Sequence, residues 1–172
     1  QFSKVTETGA AGSAPLCVAL VWHMHQPFYK DTLTGSYSLP WVRLHALKDY
    51  YHMAEIVARH PAMHATFTFV PSLIQQLEEY AAGTAVDRCL AVSQKRHWTQ
   101  TEKDFILSFF FSINAERYIH RYPRYRQLLE LAQRGEYQPE LFGDWFYRDL
   151  VAWFNLIWID RGLLEGDELL SE

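Results

Sequence analysis

Two strand-like segments separated by a long helical segment constrain the fold more than any other feature of this sequence. The first is LCVALV, Leu16 to Val21, a continuous apolar run typical of a strand buried on both faces. The second, Ala62 to Val70, alternates apolar and polar residues. Between them, apolar residues recur at helical spacing: Leu44, Leu47, Tyr51, Ala54 and Ala58. A crossover of this length keeps the two strands parallel, so an α/β fold is predicted.

Helical periodicity continues to the end of the chain, and no strand pattern follows Asp87. A second helix is predicted after Pro71, capped by Ser72 and Gln75, and a later one is capped by Thr99 and Glu102. Two parallel strands cannot form a sheet that is covered on both faces, so we expect a truncated chain, the front part of a longer protein. The predicted organisation is a flexible tail, two βα units and a helical insertion or subdomain: residues 1–14, 15–86 and 87–172.

Charge and composition exclude several classes of partner. The formal net charge is −4, from 16 basic and 20 acidic residues with no basic block, so we expect no nucleic-acid or membrane partner. No apolar stretch approaches the roughly 18 residues of a membrane span, and the opening residues lack the apolar core of a secretory signal. We therefore expect a cytoplasmic protein. Two cysteines are too few for a disulfide framework, and Cys17 is predicted to be buried as a small apolar residue.

The first apolar run leads into VWHMHQPFY, which places two histidines at the end of a strand. Residues two apart in a strand point the same way, so His23 and His25 are predicted to face one side, and Trp22 and Met24 the other. In parallel α/β folds, the carboxyl ends of strands carry the functional side chains. The pattern therefore predicts a strand that delivers two imidazoles into a cleft.

Three roles for this histidine pair stay open from the residues alone. The imidazoles can satisfy each other and the nearby backbone. They can bind a metal ion with His45, His52 or His64 as a third ligand, because imidazole is the commonest metal ligand and catalytic zinc usually has three protein ligands. Together with Gln26, they can also hydrogen-bond a polyhydroxylated ligand whose rings pack on aromatic faces.

Further blocks of sequence carry a family resemblance. HQP at residues 25–27 is followed by SLPWVRLHALKDYYHM at 38–53, FVPSLIQQLEEY at 69–80 and DLVAWFNLIWID at 149–160. The blocks in this order resemble the start of glycoside hydrolase family 57. The resemblance implies the N-terminal portion of an incomplete (β/α)7 barrel, with two βα units followed by a mostly helical insertion. It also implies activity on α-glucans, as an amylase, amylopullulanase, branching enzyme or glucanotransferase.

The same resemblance implies a retaining mechanism, with a glutamate nucleophile and an aspartic acid as proton donor. Both are expected from later strands, and Glu78, Glu79, Glu102 and Glu116 do not match their context, so no catalytic residue is assigned within this chain. The expected partner is an α-glucan or maltooligosaccharide, with no metal and no cofactor, and the sequence does not indicate an oligomeric state. The expected substrate-binding residues are His25, His23, Gln26, Trp41, His45 and Trp153.

Two neighbours of these residues carry their own expectations. Arg43 is expected to pair with an acid outside this chain. Thr68 stands where many members of the family have Asn, which leaves the hydrogen bond made there in doubt. Two other functions stay open: a metal-dependent hydrolase or deacetylase of related barrel fold with His23 and His25 as ligands, and a carbohydrate-binding protein without catalysis.

Overall fold

The computed structural model describes residues 16–134 and 142–165, so the predicted tail at 1–14 lies outside the described residues. They form a mostly helical α/β structure with a small parallel sheet of two strands, β1 (Leu20–Met24) and β2 (Ala65–Phe69). The α-helices are α1 (Trp41–His45), α2 (Tyr51–Arg59), α3 (Pro71–Ala81), α4 (Arg88–Ser93), α5 (Gln100–Phe109), α6 (Pro123–Arg134), α7 (Asp144–Leu156) and α8 (Arg161–Glu165). Two segments are π-helical, π1 (Ala46–Tyr50) and π2 (Ala115–Ile119).

The sheet confirms the parallel pairing and corrects the burial expected for its first strand. Its register runs from Leu20 opposite Ala65 to Met24 opposite Phe69. The strand begins at Leu20 rather than Leu16, and Val21 is 61% exposed. The expectation of burial on both faces is therefore wrong, and so is that for Cys17, which is exposed. The reason is that, within the described residues, β2 is the one strand beside β1.

The predicted helix between the strands exists, but its buried face changes along its length. The segments α1, π1 and α2 follow one another without a break, and Val42 and Leu44 of α1 are fully buried. A π-helical turn inserts extra residues into a helix and so rotates the face that follows it. As a result, the predicted stripe is wrong beyond Leu44. Its later members are exposed, whereas α2 turns other side chains inward: Met53, Ile56 and Val57.

The start of α3 also differs from the prediction, while its end agrees. Pro71 occupies the first turn and no side chain caps the helix, so the expected box between Ser72 and Gln75 is wrong. Proline suits the first helical position because it lacks the N–H that would stay unpaired there, and this places Ser72 inside the helix. The predicted stop at Gly83 is confirmed, since this residue adopts a positive φ of 70° just beyond the helix.

Two groups of buried side chains hold these elements together. The larger joins α4, α5, α6 and α7, and within it the rings of Phe110 and Phe154 stack at 4.2 Å. The smaller joins the sheet to α1 and α3 through Met24, Val42 and Leu73. The predicted capping box of Thr99 and Glu102 is present at the start of α5. No helix within the described residues has both the length and the apolar character needed to cross a membrane.

Candidate functional site

His23 of β1 and His25, the residue just after that strand, lie side by side, as strand alternation predicts. Their rings are nearly parallel, with an interplanar angle of 10° and centroids 5.9 Å apart. Met24 between them points to the opposite side, where it is 3% exposed in the smaller core. His23 is fixed by a 2.7 Å hydrogen bond between its Nδ1 and the hydroxyl oxygen of Thr68, its register partner on β2. The hydrogen bond of Thr68, which the sequence left open, is therefore made with His23.

The side chain of His25 is free to meet a ligand. It is exposed, and its ring contact is with His23. It lines neither of two surface cavities, of about 370 and 150 Å³, that lie elsewhere on the described residues. His25 is therefore exposed on the described part of the chain, and the expected cleft stays a prediction.

Gln26 and the loop after it are held by two half-buried tyrosine hydroxyls and one buried glutamine amide. The Gln26 amide donates to the Tyr50 hydroxyl at 3.3 Å and accepts from the Tyr29 hydroxyl at 3.1 Å. Burial raises the pKa of both tyrosines, so they stay neutral hydrogen-bonding groups. The fully buried amide of Gln76 donates to the carbonyl of Pro27 at 3.0 Å and accepts from the N–H of Tyr29 at 2.9 Å.

Sequence reasoning missed Gln76, although a signal was present. The residue lies among Leu73 and Leu77 on the inward face of α3. A glutamine on an apolar face must find hydrogen-bond partners when it is buried. Its position predicts that it anchors a neighbouring stretch of backbone, and the loop after β1 is that stretch.

Trp41 and His45 lie one helical turn apart on α1 and share Trp158 as a neighbour. The Trp41 ring is 5.9 Å from Trp158 and 5.8 Å from Phe109, so it is packed against the larger core. The edge of His45 meets Trp158 at 5.4 Å, and its Nδ1 lies 2.5 Å from a carboxylate oxygen of Asp49. This bond fixes the orientation of the imidazole and leaves its Nε2 as the atom available to a ligand.

Asp49 and Lys48, both in π1, form a charged pair beside His45. Desolvation by itself raises the pKa of Asp49, but the hydrogen bond with His45 and the charge of Lys48 outweigh it, and the pKa is lowered. Desolvation likewise opposes the charged form of Lys48, yet its bonds to Tyr118 and Asp49 raise the pKa of the ammonium. Both groups are therefore held in their charged states.

Arg43 has its acid within this chain, which corrects the expectation that the acid lies outside it. Its guanidinium donates two hydrogen bonds to Asp87, at 2.8 and 3.2 Å. Asp87 is fully buried, caps α4 through the N–H of Leu90, and also accepts from the hydroxyl of Tyr80. Desolvation and the Asp87 charge raise the pKa of Tyr80, so it stays a donor. This ion pair joins α1 to the start of α4.

Comparison with protein families settles where the chain belongs. The sequence model described as glycosyl hydrolase family 57 matches residues 19–165, a range that includes both strands, both π-helical segments and the helices α1 to α8 of the described residues. The chain belongs to glycosyl hydrolase family 57. Searches of curated proteins and of solved structures gave no match. Membership identifies the protein as a glycoside hydrolase with a carbohydrate substrate.

In this family-57 chain, Trp153 lies within the helical core. Its ring packs against Tyr122 at 5.2 Å and against Tyr125 at 6.4 Å, and it is partly buried. The neighbouring Asn155 donates to the Ser93 hydroxyl and to the carbonyl of Val151. These two residues of the WFN block thus hold α7 to the helices around it.

Three of the four acidic residues considered from the sequence have structural partners. Glu79 accepts hydrogen bonds from Lys30 and the Tyr37 hydroxyl. Glu102 belongs to the capping box of α5, and Glu116 pairs with His120 at 3.3 Å. Glu78 is exposed on α3.

Within the described ranges, one group of three side chains has the composition of a metal site, and it does not contain His23 or His25. His52, Glu55 and Asp160 bring their ligand atoms within 4.8 Å of one another. They are already paired, because Nδ1 of His52 lies 2.9 Å from Asp160 and Arg59 lies 2.8 Å from Glu55. An ion-pair network accounts for this group, and the histidine pair has no third ligand of this kind in the described part of the chain.

Proposed function

We propose that this chain is the N-terminal part of the catalytic domain of a retaining glycoside hydrolase or transglycosylase acting on α-glucans. Its role is to supply sugar-binding residues, in the first two βα units and helical insertion of an incomplete (β/α)7 barrel. The observation that carries the proposal is the geometry of the HQP segment. His23 is anchored by Thr68, and the exposed side chain of His25 has its ring parallel to that of His23.

The chemistry of these groups suits a saccharide. A neutral imidazole donates from one nitrogen and accepts at the other, so His25 can bond two hydroxyls of a sugar ring. Gln26, oriented by Tyr50 and Tyr29, adds an amide at the same strand end. His45, fixed by Asp49, is assigned a supporting sugar contact.

The catalytic carboxylates are assigned to a part of the protein outside these 172 residues. In a retaining mechanism, a glutamate attacks the anomeric carbon while an aspartic acid protonates the leaving oxygen. The residues of this chain would bind and orient the sugar at that point. The exposed apolar side chains of the sheet support a continuing barrel, because such surface normally packs against further elements: Leu20, Val21 and Phe69.

The proposal is tested on the full-length protein with an α-1,4-glucan as substrate. We expect new reducing ends or a changed chain-length distribution, and no reaction with a β-1,4-glucan. His25→Ala should lower kcat/KM by about a hundredfold, as loss of one hydrogen bond to developing charge does elsewhere. His60→Ala is the matched control, because His60 is exposed at the end of α2 and should leave activity unchanged.

Two outcomes would overturn the proposal. One is the absence of turnover on any α-glucan, which, if binding persists, would favour the non-catalytic alternative. The other is a His25→Ala variant that keeps the wild-type kcat/KM.

A further inference from the structure

The two π-helical segments of this protein meet at Lys48 and Tyr118. The Lys48 ammonium donates to the Tyr118 hydroxyl at 3.0 Å and lies 4.7 Å from the centre of its ring. Trp158 packs against both residues of this junction, with its ring 5.2 Å from the Lys48 nitrogen and 6.4 Å from the Tyr118 ring. Segments of π-helix are rare in proteins, and those that do occur often lie at functional sites. The meeting of two of them therefore marks a surface to search for a ligand.

A cavity of about 150 Å³ opens at this junction. Four of the side chains that line it are cationic: Lys48, Arg117, Arg121 and Arg161. One wall residue is acidic, Asp160, and two are tyrosines, Tyr118 and Tyr122. The cavity thus combines positive charge with aromatic surface.

Lys48 is paired with Asp49 at 3.2 Å, but the positive charge of the three arginines is not balanced by ion pairs within residues 16–134 and 142–165. The Asp160 carboxylate is already occupied by His52 at 2.9 Å and by the N–H of Gly162 at 2.8 Å. Arg121 and Arg161 form no ion pair with any residue in 16–134 or 142–165, and the Arg117 guanidinium lies over the ring of Tyr118, 5.6 Å from its centre. This concentration of cations contrasts with the net charge of −4 of the chain.

We propose that this cavity binds a phosphate group, either as inorganic phosphate or as the phosphate monoester of a sugar. The planar guanidinium fork matches the oxygens of phosphate in a bidentate manner, and several such forks around one cavity give a strong site for a dianion. Tyr118 and Tyr122 provide faces on which a sugar ring can pack. The site lies beyond the proposed function, because an uncharged glucan carries no negative charge for a cluster of arginines to balance.

The test is calorimetric titration of the full-length protein in a chloride buffer of constant ionic strength. One arm uses inorganic phosphate and the other uses glucose 6-phosphate. Arg121→Gln and Arg161→Gln should each weaken binding by about tenfold, because each removes a charged hydrogen-bond donor. The matched control is Arg134→Gln, an exposed arginine on α6 that does not line the cavity, and its effect should stay below about twofold since distant surface charges are screened.

The outcomes separate cleanly. Equal affinity for both ligands assigns the site to the phosphate group alone, and tighter binding of glucose 6-phosphate assigns it to a sugar monoester. No saturable binding of either ligand overturns the proposal, as does an equal loss of affinity in Arg134→Gln and Arg121→Gln.

Circular dichroism checks that each variant is folded. If the glutamine variants unfold, Arg121→Lys keeps the charge without the planar guanidinium and should still weaken binding severalfold. Glucan turnover plays no part in this test, so its result is independent of the proposed function.

Discussion

The hydroxyl oxygen of Thr68 lies 2.7 Å from Nδ1 of His23, directly across the parallel register of β1 and β2. This bond selects one orientation of the His23 ring, and the His25 ring stacks parallel to it. The hydroxyl of Thr68 on β2 therefore contributes to the position of the His25 imidazole, just beyond the end of β1.

Thr68→Val should lower activity through this chain of contacts. The substitution keeps the shape of the side chain but removes the hydrogen bond, so we expect kcat/KM on an α-glucan to fall by about two- to tenfold in the full-length enzyme. Thr68→Ser retains the hydroxyl and should stay near the wild-type value. Unchanged kinetics in Thr68→Val would show that the His23 orientation does not matter to the reaction.

Gln76→Ala should destabilise the protein by about 1–3 kcal/mol, because it leaves the Pro27 carbonyl and the Tyr29 N–H without their partner. Chemical unfolding monitored by tryptophan fluorescence measures the change. Gln75→Ala is the control: Gln75 is an exposed neighbour whose amide bonds Glu79, and its loss should cost less than about 0.5 kcal/mol. Similar losses in both variants would contradict the anchoring role of Gln76.

Asp87→Ala should be among the most damaging single substitutions. It leaves Arg43, whose side chain is 12% exposed, without its carboxylate, and it removes the cap of α4. Loss of one partner from a buried ion pair costs about 3–5 kcal/mol. In contrast, Glu130→Ala breaks a half-exposed pair with Arg126 and should change the unfolding free energy by less than about 1 kcal/mol. Equilibrium denaturation of both variants compares the two pairs directly.

Asp49 makes stability depend on pH in the acid range. Its pKa is lowered below the ordinary 3.8, since the bond with His45 and the charge of Lys48 outweigh desolvation. Between the two pKa values the unfolded chain binds more protons, so the unfolding free energy rises with pH there. The contribution of Asp49 is complete above 3.8 and is lost as the pH falls through the folded value. Asp49→Asn should make the unfolding free energy depend less steeply on pH in this window. Asp49→Glu keeps a carboxylate and should preserve part of that slope. Identical curves of unfolding free energy against pH for wild type and Asp49→Asn would refute this role of Asp49.

Features that depend on neighbours along the chain were predictable from the sequence. Alternation along β1 and the residue that follows it correctly placed His23 and His25 on one side and Met24 on the other. The capping box of Thr99 and Glu102 depends only on two residues three positions apart, and it was likewise confirmed. The buried stripe beyond Leu44 was not predictable, because the π-helical turn that rotates it leaves no periodic signal of its own.

The order of strands and helices, the parallel crossover, the facing of the two histidines and membership of family 57 could all be read from the residues, because these follow from local geometry and from blocks of residues in a fixed order. The hydrogen-bond partners could not, and became known from the folded structure: Thr68 for His23, Gln76 for the loop after β1, and Asp87 for Arg43. Each pair spans more than 40 positions of the chain, and a hydrogen bond over that separation depends on how whole elements pack.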